Sequence, residues 1–126
     1  MSFFDKIFGD KKEETKQCKS FWNRIESEED LAKAIEISHQ HKIAIFKHST
    51  SCFISKTVLK NFEKEVESEN IDSKSLYYLD LLAHRNLSNA IADQLGIRHE
   101  SPQLIVIENG KAIANASHQD ISISLI

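Results

Sequence analysis

Hydrophobic positions along the chain follow helical spacing in some segments and strand spacing in others, which predicts an α/β domain. Apolar residues recur every three or four positions in three segments: 31–39, 58–66 and 87–95. Short apolar or aromatic runs predict strands at 43–47, 76–81 and 103–107. Ser27 followed by acidic residues is typical of a helix start, and Gly96 is typical of a helix end.

The order of these elements predicts the fold. Asn109–Gly110 is a strong hairpin signal, residues 111–115 then return as an antiparallel strand, and 122–126 would begin a last helix. Helix and strand alternate in the first half, as in a parallel βαβ unit, and the second half ends in a hairpin. We therefore expect a thioredoxin-like three-layer α/β/α sandwich with a mixed sheet of about four strands.

Two regions differ in composition. Residues 1–20 combine an amphipathic cluster (Phe3, Phe4, Ile7, Phe8) with a mixed-charge run and predict an N-terminal tether. We expect the phenylalanine cluster to fold back on the domain or cover an apolar patch; the alternatives are a membrane-surface helix or an anchor for a partner. Residues 21–126 form the predicted thioredoxin-like domain.

Composition and charge narrow the class of protein. The 126 residues suffice for one domain, and a net charge of −3 gives no electrostatic case for a nucleic-acid partner. No apolar run is long enough to span a bilayer, and the N-terminus lacks the features of a signal peptide. With only two cysteines, we expect a reduced, cytoplasmic protein rather than a disulfide-rich secreted one.

Cys52 stands out because it follows a strand and a polar turn, at the point where a helix begins. The helix N-terminus favours a thiolate, and Lys47, His48 and Lys56 add nearby positive charge. The hydroxyl of Ser55, three residues on, would donate a hydrogen bond to the sulfur. A lone thiolate can take the small-thiol half of a mixed disulfide onto itself, but Ser55 at the resolving position forces an external thiol to complete the cycle. The alternative is an incidental, buried cysteine.

Other residues receive narrower predictions. Cys18 is an incidental thiol or, if the tether folds over the site, a distant resolving cysteine. Pro102, directly before a strand, is predicted to have a cis peptide bond, which in a thioredoxin-like fold lies beside the thiol. None of the six histidines has the spacing of a metal site, so we expect no metal; His48 and His99 would lie in loops near Cys52.

Three blocks resemble the monothiol bacilliredoxin family of bacterial thioredoxin-like proteins: residues 46–55 (Phe-Lys-His-Ser-Thr-Ser-Cys-Phe-Ile-Ser), 78–81 (Tyr-Leu-Asp-Leu) and 96–103 (Gly-Ile-Arg-His-Glu-Ser-Pro-Gln). Weaker similarity extends over nearly the whole chain. Ser51 and Phe53 flank the cysteine where that family usually has arginine and proline.

The resemblance implies an oxidoreductase that removes bacillithiol from S-bacillithiolated proteins, with no cofactor other than bacillithiol as the exchanging thiol. It implies that Cys52 attacks with Ser55 beside it, and that substrate-binding residues are His48, Ser51, Lys56, Arg98, Ser101 and Pro102. Lys47, Lys56 or Arg98 would meet the carboxylates of bacillithiol. Its partners would be bacillithiol and S-bacillithiolated proteins, and the chain would be a monomer or a weak dimer.

Two other classes of function stay open. Monothiol glutaredoxins share the Cys-x-x-Ser pattern, so Cys52 would alternatively ligate an iron–sulfur cluster shared between two chains. The third possibility is a non-catalytic adaptor that keeps the fold and has an ordinary cysteine.

Overall fold

The structure, a computed structural model, describes residues 21–126 and consists of a mixed β-sheet covered by helices on both faces. The predicted tether at residues 1–20 lies outside the described part. The strands are β1 (Asn23–Arg24), β2 (Ile43–His48), β3 (Leu76–Asp80), β4 (Gln103–Glu108) and β5 (Lys111–Ser117). The helices are α1 (Glu28–Ile37), α2 (Phe53–Glu69) and α3 (Arg85–Leu95).

The sheet has the order β1-β3-β2-β4-β5. Strands β1, β3 and β2 are parallel, whereas β4 and β5 are antiparallel to their neighbours. The carboxyl ends of β2, β3 and β5 and the amino end of β4 therefore share one edge of the sheet. The polar segments of the chain meet at this edge.

Strand β2 is buried on both faces and divides the core in two. Ala44 and Phe46 pack with α2, whereas Ile43 and Ile45 pack with α1 and α3. Each large apolar side chain buried in this way contributes about 2 kcal/mol. The predicted three-layer sandwich is confirmed.

The sheet has five strands rather than about four, because the sequence pattern did not reveal β1. Its two residues are polar and exposed, so no alternation of apolar residues marks it. The neighbouring Trp22 holds it in place: the indole lies among aromatic rings of the α2 face and its Nε1–H donates to Glu63 Oε2 at 2.8 Å. Ile25 N–H then donates to Tyr78 O at 2.9 Å, which continues the pairing with β3.

The hairpin is confirmed, but the predicted last helix is wrong. Asn109 and Gly110 both have positive φ (55° and 76°), as a tight two-residue turn between β4 and β5 requires. Strand β5 continues to Ser117, two residues beyond the prediction, and two short 3₁₀ turns follow at His118–Asp120 and Ile123–Leu125. The apolar residues of this segment pack onto the α2 side of the core without needing a regular helix.

Among residues 21–126, no helix is both long and apolar enough to cross a membrane.

Candidate functional site

Cys52 lies at the N-terminal end of α2, at the polar edge of the sheet. It is the N-cap residue, with extended backbone (φ −101°, ψ 123°), and its carbonyl accepts the first helical hydrogen bond from Lys56 N–H at 3.0 Å. Its own N–H donates to Ser49 O at 3.2 Å, which closes the turn. Its side chain is partly exposed, is not in a disulfide, and makes no capping hydrogen bond. The cysteine side chain is therefore neither enclosed in the core nor used to cap the helix.

Ser55 is fully buried, and its hydroxyl ties the Cys52 turn to the end of β2. Its Oγ accepts a hydrogen bond from Ser49 N–H at 3.0 Å and lies 2.8 Å from His48 Nδ1. These two contacts stand in place of the expected hydrogen bond from Ser55 to the Cys52 sulfur. We call His48, Ser49 and Ser55 the His48 cluster.

His48 is neutral at physiological pH. Burial lowers its pKa to about 4; the positive charge of Lys56 adds to this effect and the negative charge of Asp80 opposes it. Its ring is buried beside Tyr78 and Phe46, with centroid separations of 5.8 and 6.4 Å. In a neutral imidazole one nitrogen donates and the other accepts. Nδ1 can therefore either donate a hydrogen bond to Ser55 Oγ or accept one from the serine hydroxyl.

A second polar cluster lies on the opposite face of the sheet, where β2 meets α3. We call Lys47, Ser88 and His99 the Lys47 cluster. Lys47 is fully buried, and its Nζ donates to Ser88 O at 3.2 Å and lies 3.4 Å from His99 Nδ1. Ser88 Oγ lies 3.0 Å from the same nitrogen. His99 Nδ1 is therefore an acceptor, and the ring proton is on Nε2.

Burial shifts both titratable groups of this cluster towards their neutral forms. It lowers the pKa of Lys47 to about 8. The pKa of His99 is also lowered, first by burial and then by the charges of Lys47 and Arg85, while Glu100 acts in the opposite direction. Because Lys47 is directed into this cluster, it is not placed to meet a carboxylate from solvent, contrary to our expectation. Lys56 and Arg98 are exposed.

The Ser101–Pro102 peptide bond is cis, as predicted. Pro102 is buried next to the start of β4, and its carbonyl accepts a hydrogen bond from His118 N–H at 3.1 Å. The loop before β4 is thus connected to the 3₁₀ turn His118–Asp120. Buried Ser101 Oγ and Gln103 Oε1 have no hydrogen-bond partner among residues 21–126.

A polar pocket of about 580 Å³ lies between this loop and the end of β5. Arg98, Glu100, Gln103 and Asp120 contribute its chemistry. Gln103 Nε2 donates to Arg98 O at 2.9 Å, and Ser117 Oγ donates to Glu100 Oε1. The pocket therefore combines one guanidinium group with two carboxylates, and the unpartnered oxygen of Gln103 is enclosed beside it.

An apolar groove of about 350 Å³ begins next to Cys52. Its lining combines one side of the start of α2 with the segment after β5: Phe53, Ile54, Thr57, Val58, Asn61, Gln119 and Ile121. The turn His118–Asp120 separates the two cavities, because Gln119 lines the groove and Asp120 lines the polar pocket.

The structure sorts the predicted site residues into groups. Cys52, His48 and Ser55 belong to one turn, and exposed Ser51 and Lys56 lie in the same segment. Arg98, Ser101 and Pro102 belong to the loop before β4, and Cys18 lies outside the described residues.

Sequence reasoning missed Ser88, Gln103 and Asp120. No sequence motif marks Ser88, which lies beside the apolar stripe of α3. Gln103 could have been noticed, because it is a polar residue at the first position of a buried strand.

The chain matches known proteins over most of its length. The family model for "Monothiol bacilliredoxin BrxC" matches residues 23–126. A solved structure with a thioredoxin fold, proposed to be an oxidoreductase, is 32% identical with a TM-score of 0.69, and the match covers 80% of this chain and 86% of that one. Thioredoxins from Malassezia sympodialis (20% identity, TM-score 0.62, coverage 77% and 78%) and Fasciola hepatica (14%, 0.61, 76% and 86%) share the fold.

Proposed function

The chain belongs to the monothiol bacilliredoxin family, and from this premise we propose that it removes bacillithiol from S-bacillithiolated proteins in the cytoplasm. Its thiol redox function at the level of the family is supported by the oxidoreductase-like neighbour. The observation that carries the finer proposal is the placement of Cys52: a partly exposed thiol at a helix N-terminus, with a buried serine at the resolving position.

The proposed reaction has two exchange steps. The Cys52 thiolate attacks the bacillithiol sulfur of the mixed disulfide, and the substrate protein leaves as a thiolate that then takes up a proton. A second bacillithiol thiolate attacks the same bacillithiol sulfur on Cys52, releases Cys52 as a thiolate and leaves as bacillithiol disulfide. Overall, the protein sulfur is reduced from a disulfide to a thiol and the sulfur of the second bacillithiol is oxidised from a thiol to a disulfide, while the first bacillithiol enters and leaves as half of a disulfide.

The His48 cluster supports the first step by fixing the turn that carries the thiol. Ser55 has no sulfur and is held by Ser49 and His48, so an external thiol must complete the cycle. The loop before β4 would hold the extended substrate chain beside the disulfide, with Ser101 and Pro102 as its contact residues. Arg98 in the polar pocket, and Lys56 beyond Cys52, are the candidate partners for the carboxylates of bacillithiol.

Intact mass after mixing the reduced protein with bacillithiol disulfide, and separately with glutathione disulfide, tests this function. We expect one bacillithiol adduct on the wild type, none on Cys52→Ser, and much slower reaction with glutathione disulfide. Adducts that persist in Cys52→Ser, or equal rates with both disulfides, would contradict the proposal. A brown dimer on reconstitution with iron and sulfide would favour cluster binding instead.

The carboxylate contacts have their own test. Replacing Arg98 and Lys56 together by glutamine should slow exchange with bacillithiol disulfide by about tenfold while leaving reaction with an uncharged aromatic disulfide unchanged. Equal rates for the double variant and the wild type with bacillithiol disulfide would exclude these two residues as the binding groups.

A further inference from the structure

Exposed apolar side chains are concentrated at the edge of the sheet where Cys52 lies. Among residues 21–126, the large hydrophobic side chains that are strongly exposed are Phe53 (79%), Ile54 (47%), Leu82 (36%) and Ile113 (50%). The first two follow Cys52 directly, and Leu82 follows β3 at the same edge of the sheet. Only Ile113, on the edge strand β5, lies elsewhere. Exposed apolar surface concentrated at a reactive group is typical of a binding surface.

The groove that Phe53 and Ile54 open is apolar and uncharged. Among residues 21–126, those that line the groove carry no charge, and Val58 and Ile121 form a buried apolar floor. A cleft of about 350 Å³ lies in the range of small ligand sites and accepts a large apolar side chain. The polar pocket across the turn His118–Asp120 has the opposite character, with Arg98, Glu100 and Asp120 in its lining.

The two halves of the mixed disulfide, bacillithiol and the substrate protein, differ in polarity as the polar pocket and the apolar groove do. Bacillithiol is small and carries carboxylates, which an uncharged apolar groove would desolvate without compensation. The protein half is a polypeptide with side chains on either side of its cysteine. Charge complementarity therefore assigns the groove to the protein half of the mixed disulfide.

We propose that this groove binds an apolar side chain next to the modified cysteine of the substrate protein, and so selects among S-bacillithiolated sites. This inference rests on the proposed function and adds the chemical class of the protein substrate. Phe53, Ile54 and Thr57 are then specificity-determining residues rather than catalytic ones.

Three disulfide probes test the proposal on the full-length protein. Two are synthetic peptides with one bacillithiolated cysteine, flanked in the first by leucine and phenylalanine and in the second by serines. The third is free bacillithiol disulfide, which has no protein half. We expect the wild type to prefer the apolar peptide about tenfold in kcat/KM.

The groove variants are Ile54→Ser and Thr57→Glu, and the matched control is Ile113→Ser, which removes an equally exposed isoleucine far from the thiol. Both groove variants should lower the preference to about twofold, and Ile54→Ser, which changes no charge, should leave exchange with free bacillithiol disulfide unchanged. Ile113→Ser should keep the full preference. Thr57→Glu lengthens an exposed side chain and adds a negative charge without removing apolar volume, so a lost preference in this variant reflects the chemistry of the groove rather than a cavity in the fold.

Each other result would overturn the inference. No peptide preference in a wild type that reacts with free bacillithiol disulfide would refute the groove alone, whereas no reaction with free bacillithiol disulfide would refute the proposed function. A Phe4→Ser variant that reacts faster with the apolar peptide would assign the groove to the chain's own N-terminal segment. Concentration-dependent dimerisation lost in Ile54→Ser would assign it to a second copy.

Discussion

Lys47 and His48 are neighbours in β2, yet they build two different clusters on opposite faces of the sheet. The His48 cluster joins groups only six and seven positions apart, so it forms together with the Cys52 turn itself. The Lys47 cluster joins groups 41 and 52 positions apart and forms only when α3 and the loop before β4 have docked. The thiol turn is thus determined locally, whereas the other side of the site depends on the tertiary fold.

The two clusters also differ in how burial of their titratable group affects the stability of the fold. His48 is neutral at physiological pH and has a hydrogen-bond partner for its buried nitrogen. Lys47 carries a buried positive charge below its lowered pKa, and the contacts that the structure gives its Nζ are a carbonyl and an imidazole rather than a carboxylate. Burial of such a charge is unfavourable. The Lys47 cluster should therefore lower stability near neutral pH, while the His48 cluster should not.

Raising the pH should remove the cost of Lys47. Its pKa falls from 10.5 to about 8 on folding, so the unfolded chain binds more protons between these values and stability rises with pH across this window. The gain is about 3 kcal/mol, and Lys47→Met should lose this dependence and be the more stable protein near neutral pH. Urea unfolding at about pH 7.5 and about pH 10.5 measures both. A wild type and variant with the same pH profile would show that Lys47 is not buried as a cation.

Lowering the pH should decrease the stability of the protein through His48, by about as much as raising the pH increases it through Lys47. Its pKa falls from 6.5 to about 4 on folding, so stability is complete above 6.5 and is lost as the pH falls towards 4. The loss is about 3 kcal/mol in the wild type and should be absent in His48→Gln. His41→Gln, a change at an exposed histidine, is the control. Parallel acid profiles for His48→Gln and the wild type in urea unfolding would contradict the buried, neutral state.

Features that depend on neighbouring residues, as the His48 cluster does, could be predicted from the sequence, whereas features that depend on distant contacts, as the Lys47 cluster does, could not. The strand, the turn and the helix start around Cys52 follow from local patterns, and so do Gly96 and the Asn109–Gly110 hairpin. Strand β1 was missed because its position depends on Trp22 contacting α2, which no local pattern records. The burial of Lys47 was missed for a similar reason: a lysine at the end of a strand is normally exposed, and only the docking of α3 covers it.

Removing the Ser55 hydroxyl should cost about 2 kcal/mol of stability, because Ser49 N–H and His48 Nδ1 both lose a buried partner. Ser55→Ala should also slow exchange at Cys52, since the turn is held less firmly. The matched change Ser51→Ala, at an exposed serine of the same turn, should alter stability by less than about 0.5 kcal/mol. Equal unfolding midpoints in urea for the two variants would show that the His48 cluster does not hold the turn.

The corresponding change in the other cluster should have the smallest effect. Ser88→Ala removes the contact of Ser88 Oγ with His99 but keeps the backbone carbonyl that binds Lys47, so His99 Nδ1 still has the lysine as a donor. We expect a loss of about 1 kcal/mol in urea unfolding and no change in the exchange rate with bacillithiol disulfide. A loss of exchange as large as in Ser55→Ala would mean that the Lys47 cluster acts on the thiol across the sheet. In that case the two clusters would form one polar network through β2. The His48 cluster would then depend on the docking of α3 as much as the Lys47 cluster does, and it would not be determined locally.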